Sequence, residues 1–191
     1  MEIKTDIKRI CRILPILLGL SFIFTDAQAQ NYFPVEPGKK WVYQYNGSYN
    51  PSGEAKTIVR ISEEEVRRGE RMYFEMNSVF TSTGSSEPTI SKTFIRQSED
   101  GAVYGINPSI SEDDYLFFPA SPTEGMTWTG LSGTSKITSI KASIETPGGI
   151  FSNCIVVESS AGEVKAYSYY QEGKGLVAMK MGDQLIMYLK E

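Results

Sequence analysis

The chain predicts an all-β, mainly antiparallel fold, on three observations. Apolar and polar residues alternate with period two through almost every segment after residue 30, Val, Ile, Thr, Tyr and Phe dominate those segments, and sustained helical spacing is absent. Short strands in close succession settle as an antiparallel meander curled into a barrel, half-barrel or sandwich. The expectation is a single curved sheet of about ten strands, preceded by an N-terminal signal helix.

The elements follow in order. Trp41, Tyr43 and Tyr45 share one face of the first strand, Val59 and Ile61 mark a second after the turn Asn50-Pro51-Ser52-Gly53, and Met72, Phe74 and Met76 mark a third. Thr89 to Arg96 pairs with Ala102 to Ile106 across Glu99-Asp100-Gly101, because Asp-Gly supplies the positive backbone angles of a tight hairpin. Tyr115 to Phe118 is a short strand. Met126 to Leu131, Ser135 to Ile144, Ile150 to Glu158 and Val164 to Gln171 continue the pattern, with Pro147-Gly148-Gly149 and Ala161-Gly162 as turns. Leu176 to Met181 and Leu185 to Leu189 close the chain as a hairpin over Gly182-Asp183.

Residues 1–29 read as a secretory leader. Lys4, Lys8, Arg9 and Arg12 form a basic start, Ile13 to Phe24 an apolar stretch broken at Pro15 and Gly19, and Ala27-Gln28-Ala29 a cleavage site. The stretch is shorter than the roughly twenty residues a bilayer-spanning helix needs, so no transmembrane anchor is expected after cleavage. The only leader cysteine, Cys11, precedes the apolar stretch, which predicts an unlipidated product in the periplasm or beyond it. Residues 30–191 then form one β-rich domain. Removing the leader's four basic and three acidic residues from 19 and 23 leaves a net charge of −5, which argues against nucleic acid as a partner.

Histidine is absent, so the commonest general base and zinc ligand is missing, and no cofactor is expected. Cys154, the one cysteine after the leader, reads as a buried small hydrophobe on the strand face of Ile150 and Val156 rather than as a nucleophile. Gly173-Lys174-Gly175 lacks the third glycine and following helix of a phosphate loop and reads as a β-turn. The charged run from Glu63 to Arg71 reads as a solvated turn between two strands, and Asn46-Gly47-Ser48 matches a glycosylation sequon that turn chemistry already explains. Glu112-Asp113-Asp114, read as a surface loop, is a weak calcium candidate because hard cations want several carboxylate oxygens together.

One phrase occurs twice. Phe33-Pro34 is followed by Gly38 and Trp41, and Phe118-Pro119 by Gly125 and Trp128. Proline stops pairing with the preceding strand, glycine permits the turn, and tryptophan begins the next strand with a large apolar area to bury. The two phrases are either plugs at the ends of the core or two aromatic walls of one cleft.

These phrases, with Gly149-x-Phe151-x-Asn153-Cys154-Ile155-x-Val157 and Tyr169-Tyr170 followed by Gly173-Lys174-Gly175-Leu176-Val177, resemble a group of secreted and lipoprotein domains sometimes called TapB-like, found mostly in bacteria. The resemblance spans nearly all of residues 30–191. It implies an antiparallel β-rich domain related in outline to half-barrel carriers of the cell envelope, of lipocalin or LolA type. It implies little about chemistry.

The function expected from the residues is noncatalytic binding of a lipid, hydrophobic small molecule or peptide on the curved sheet. Trp41, Tyr43, Tyr45, Trp128, Tyr167 and Tyr169 are the candidate ligand-binding residues. A structural protein that offers a sheet edge to an envelope partner is the alternative. A glycoside hydrolase would need two facing carboxylates, for which Glu75 and Glu158 are strand-borne candidates, and no catalytic residue is assigned.

Overall fold

A computed structural model describes residues 31–47, 50, 54–82, 87–131, 133–161 and 164–190. The leader, its cleavage site, Ser48 of the sequon and the turn residues 51–53 and 162 lie outside the described residues. Twelve strands form one antiparallel sheet: β1 (Lys40–Tyr45), β2 (Lys56–Arg68), β3 (Arg71–Thr81), β4 (Thr89–Gln97), β5 (Val103–Asn107), β6 (Ser111–Phe118), β7 (Thr127–Gly130), β8 (Gly133–Thr146), β9 (Gly149–Ala161), β10 (Val164–Gln171), β11 (Gly175–Met181) and β12 (Gln184–Lys190). Their spatial order is β6-β5-β4-β3-β2-β1-β12-β11-β10-β9-β8-β7. Two meanders of six strands, β1–β6 and β7–β12, are therefore joined by the β1–β12 ladder, where Tyr43 faces Leu189 and Tyr45 faces Met187. The free edges β6 and β7 meet without a ladder, so the sheet is a nearly closed barrel; a Cβ on Gly130 would lie 3.7 Å from the Leu116 carbonyl oxygen.

The repeated phrase opens each meander with the same hydrogen bonds. Lys39 N donates to Glu36 O and Met126 N to Thr123 O, both at 3.1 Å, closing turns around Gly38 (φ 73°) and Gly125 (φ 87°). Ile61 N then donates to Lys39 O and Ile137 N to Met126 O, both at 2.9 Å, and both isoleucines are fully buried. Each tryptophan is the second residue of its strand and points inward.

Side chains of opposite walls meet across part of the barrel. Ile61, Met76 and Ile95 from β2–β4 pack in one cluster with Ile137, Ile155 and Val157 from β8 and β9, so opposite walls touch. Charged residues such as Arg60, Lys92, Lys136 and Lys141 sit exposed on the outer surface, the reverse of a membrane barrel, whose lipid-facing band is apolar. Among the described residues no helix is long and apolar enough to cross a membrane.

Strands β2 and β3 run further than the sequence suggested. The charged run Glu63 to Arg71 is not one solvated turn: it forms the end of β2, a tight turn at Gly69 (φ 59°) and Glu70, and the start of β3. The register jumps between the pairs Ile61↔Met76 and Glu65↔Phe74, and that bulge absorbs Ser62, Glu63 and Glu64.

A second, smaller core lies outside the barrel. Three register irregularities bend β8 against β9, and the hairpin tip reaches β12, where a Cβ on Gly148 would meet the Leu189 carbonyl oxygen at 2.5 Å. Phe151, Ile144 and Cys154 thereby cover Ala178 and Tyr169, an outward-facing pair on β11 and β10. Asn153 adopts φ 55°, which asparagine tolerates and most residues do not. The extra residue puts Cys154 beside Phe151 and leaves Ile150 71 % exposed, so Cys154 does not share the face of Ile150 as the plain alternation predicts. Burial pushes the Cys154 thiol up to about 11.

Phe151→Ala should cost about 3 kcal/mol in a urea melt. It should also make Cys154 reactive toward a thiol reagent under native conditions, whereas the unmodified protein stays inert.

Candidate functional site

Both Phe-Pro phrases converge on Tyr170. Phe118 packs against Tyr170 with ring centroids 4.9 Å apart and Phe33 does so at 6.5 Å, while Phe33 also meets Phe117 at 4.8 Å. Each phenylalanine backs its own tryptophan, Phe33 on Trp41 at 6.1 Å and Phe118 on Trp128 at 6.4 Å. The Gly173–Gly175 turn supports one side, since the Trp41 Nε1–H donates to the Lys174 carbonyl at 2.6 Å. A Cβ on Gly175 (φ 88°) would stand 3.2 Å from that nitrogen, which explains the second glycine without any phosphate.

Two interior cavities flank this partition. One of about 220 Å³ is walled by Trp41, Tyr43, Tyr45, Met76 and Met187, and one of about 190 Å³ by Trp128, Leu131, Ser135, Ser159 and Ser168; Tyr170 and Phe117 line both. The repeated phrase thus supplies one aromatic wall to each of two adjoining spaces. Small polar side chains leave the room: Thr57 and Ser78 in the larger cavity, and in the smaller one the serines of β8–β10, two of which, Ser135 and Ser159, lie within 3.2 Å of each other.

Four of the six candidate aromatic residues line these cavities, Trp41, Tyr43 and Tyr45 in the larger and Trp128 in the smaller. Tyr167 and Tyr169 do not. Tyr170 pairs with Leu176 and Ile155 in the inward row, so Tyr169 and Tyr167 face outward, Tyr169 into the second core and Tyr167 beside Glu158. The inward residues of β10 are Ser168 and Tyr170, and the signal for them was the neighbouring register: Ser168 stands opposite Val157 on β9.

Among the described residues no Asp, Glu, Lys or Arg lines either cavity. Tyr43, only 4 % exposed, is held protonated well above the ordinary tyrosine range by burial, reinforced by Tyr170. Burial also pushes Tyr170 and Tyr115 up to about 12. Tyr45 donates to or accepts from Thr57 Oγ1 at 3.2 Å.

The acidic cluster is not a loop. β6 starts at Ser111, and strand alternation splits the three carboxylates between faces. Arg71 Nη1 and Arg96 Nη2 donate to Asp114 Oδ2, Arg96 Nε does so at 3.1 Å, and the Tyr73 hydroxyl donates to Asp114 Oδ1 at 3.1 Å. Arg68 takes Glu112 at 2.8 Å while stacking 3.7 Å over the Phe94 ring. Asp113 pairs with Ser111. Among the described residues no group of three or more metal-ligating side chains comes together.

Glu75 and Glu158 are likewise engaged on the outer surface. Hydrogen bonds from Asn77 and then Lys92 lower the Glu75 carboxyl, and a hydrogen bond from Lys165 lowers that of Glu158.

No family model and no curated protein matches the chain. Among solved structures, it is similar to a Bacteroides fragilis protein described as exported, with a YmcC-like fold, at 14 % identity and a TM-score of 0.51 over 83 % of this chain and 97 % of that one. A protein described as a lipoprotein from Parabacteroides distasonis aligns at 16 % identity and a TM-score of 0.47 over 83 % and 95 %. At this identity the first likeness shows a shared fold.

Two outcomes are expected. Asp114→Asn should lower stability by about 1–3 kcal/mol in urea melts, because two guanidinium groups lose their counter-charge. A tyrosine whose folded pKa is raised contributes stability that is complete below its unfolded value near 10 and is lost as pH rises toward 12. The protein should therefore weaken between pH 10 and 12, and Tyr170→Phe should weaken less steeply across that window.

Proposed function

We propose that this is a noncatalytic exported protein of the cell envelope that holds a lipid chain, hydrophobic small molecule or apolar peptide segment inside its barrel. The observation that carries the reading is the pair of uncharged cavities meeting at Tyr170. Neither reaches the roughly 300–1,000 Å³ usual for small-molecule sites, but together they do. The rings of Tyr170 and Phe117 line both and form a shared wall between them. Export follows from the leader read in residues 1–29 and accords with the description of the Bacteroides fragilis neighbour. The motifs that resemble TapB-like domains include both Phe-Pro phrases and the Gly173–Gly175 turn, so the grouping is part of the same proposal.

The carboxylates favour a binding role over hydrolysis. A glycosidase acid needs a raised carboxyl facing a second one across a cleft. Glu75 and Glu158 are each lowered and tied to a lysine on the outer surface.

A second reading, an assembly role through sheet edges, draws on β6 and β7, the two strands that lack a second ladder. Their mutual approach at Gly130 and Leu116 shields both edges and makes this the weaker reading.

Native mass spectrometry on residues 30–191, exported and purified without detergent, tests both. A discrete adduct lost on unfolding is the expected result. A bare monomer argues against a resident ligand, and a bare stable oligomer favours assembly.

A further inference from the structure

The larger cavity carries chemical information beyond its apolarity. Tyr43 projects into it from β1, 4 % exposed, and its hydroxyl has no hydrogen-bond partner among the described residues, whereas its neighbour two positions on, Tyr45, is paired with Thr57. The described buried polar atoms that lack both water and a partner are Asn31 Oδ1 and Thr81 Oγ1, so the Tyr43 hydroxyl is open to the cavity, and an occupant that displaces water from it preserves the hydrogen bond only by bringing an oxygen of its own. The walls also say what the occupant is not. With no Lys, Arg or His among the described residues lining either cavity, an ionised carboxylate or phosphate would sit there with no counter-charge, and with no Asp or Glu among them an ammonium group would too. At roughly 30 Å³ per heavy atom, the share of a water molecule in the liquid, the space takes about seven or eight non-hydrogen atoms. Anything longer extends out through the open side of the cavity or past Tyr170 into the serine-floored cavity beyond.

We propose that the cavity beside Trp41 binds an uncharged ligand made of an apolar chain and one neutral oxygen, as in an alcohol, ester or ketone, with that oxygen hydrogen-bonded to the Tyr43 hydroxyl. The proposal deepens the hydrophobic-ligand reading above and rests on it. It places the polar end of the ligand on β1 and its chain along Met76 and Met187 toward Tyr170. Discrimination is by charge: the fatty alcohol or ester enters and the fatty acid anion of the same length does not.

The two tryptophans make this testable, since each lines one cavity and the chain has no others. In a Trp128→Phe variant excited at the red edge of the indole band, where the eleven tyrosines do not absorb, only Trp41 fluoresces, and 6-bromohexan-1-ol, whose heavy atom quenches a neighbouring indole, should quench it saturably. At pH 8 the matched anion 6-bromohexanoate should bind at least tenfold more weakly, and adding Tyr43→Phe should weaken the alcohol about five- to tenfold, the worth of one hydrogen bond. Equal binding of the anion, or an unchanged alcohol affinity in Tyr43→Phe, overturns the proposal while leaving the hydrophobic site in place. The absence of saturable quenching by either compound overturns the proposal and the reading it rests on together. Should Trp128→Phe fail to fold, thermal melts of the unmodified chain give the same comparison: a higher Tm with the alcohol and none with the anion supports the proposal, and equal shifts overturn it.

Discussion

A sheet of twelve strands rolled on itself encloses more room than an empty interior can hold open, and the packing of Phe33 and Phe118 on Tyr170 is where this barrel resolves that constraint. Each aromatic contact contributes only about 0.5–1.5 kcal/mol beyond the area it buries. Their joint effect is geometric. Phe33 precedes β1, Phe117 and Phe118 end β6, and Tyr170 stands near the end of β10, so the three elements that meet here come from both meanders and from the seam between them. No ladder joins the free edges on the β6–β7 side, so side-chain packing, of which these ring contacts are a part, holds them together.

The same contacts explain why the phrase occurs twice. A six-stranded meander needs an inward anchor at its start, because its first strand has no earlier hairpin to fix its register. Phe-Pro followed by a glycine turn and a tryptophan supplies that anchor, and in each half the turn hands its backbone to the same kind of partner, Ile61 in one and Ile137 in the other. The two halves then close on one another at two places of different character. The β1–β12 ladder is made of hydrogen bonds and fixes register, while the β6–β7 seam is made of side chains and fixes only proximity.

Much of this was legible in the residues, and the misses have a common physical origin. Alternation and turn chemistry marked a segment in each strand, including the hairpins at Asp100-Gly101 and Gly182-Asp183, although the expected count was about ten and the sheet has twelve; they also put Trp41, Tyr43 and Tyr45 on one face and turned both tryptophans inward. They misplaced features wherever a strand departs from strict period two. The bulge at Asn153 moved Cys154 away from Ile150, the irregularity at Ser62–Glu64 hid the continuation of β2, and Tyr167-Ser168-Tyr169-Tyr170 offers tyrosines on both faces, so only the register with β9 and β11 selects Tyr170. Glu112 and Asp114 looked like a cation site because their arginine partners, Arg68, Arg71 and Arg96, lie 18 to 44 residues away in the chain.

Charge is therefore sorted by face rather than by segment, and that sorting sets what the interior can hold. Every carboxylate once open to a catalytic or metal-binding reading is engaged on the outer wall by arginine, lysine or serine, where water screens it and its partners satisfy it. Among the described residues the two cavities are lined by phenyl rings, phenols, hydroxyls, indoles, thioethers, alkyl groups and glycine backbone. In so uncharged an environment a hydrogen bond to a neutral oxygen is strengthened and an unpaired charge is penalised by the same low polarisability. Under the proposed binding role, selection for neutral apolar occupants would need no dedicated recognition loop; it would follow from alternation on twelve strands with the charged set turned outward.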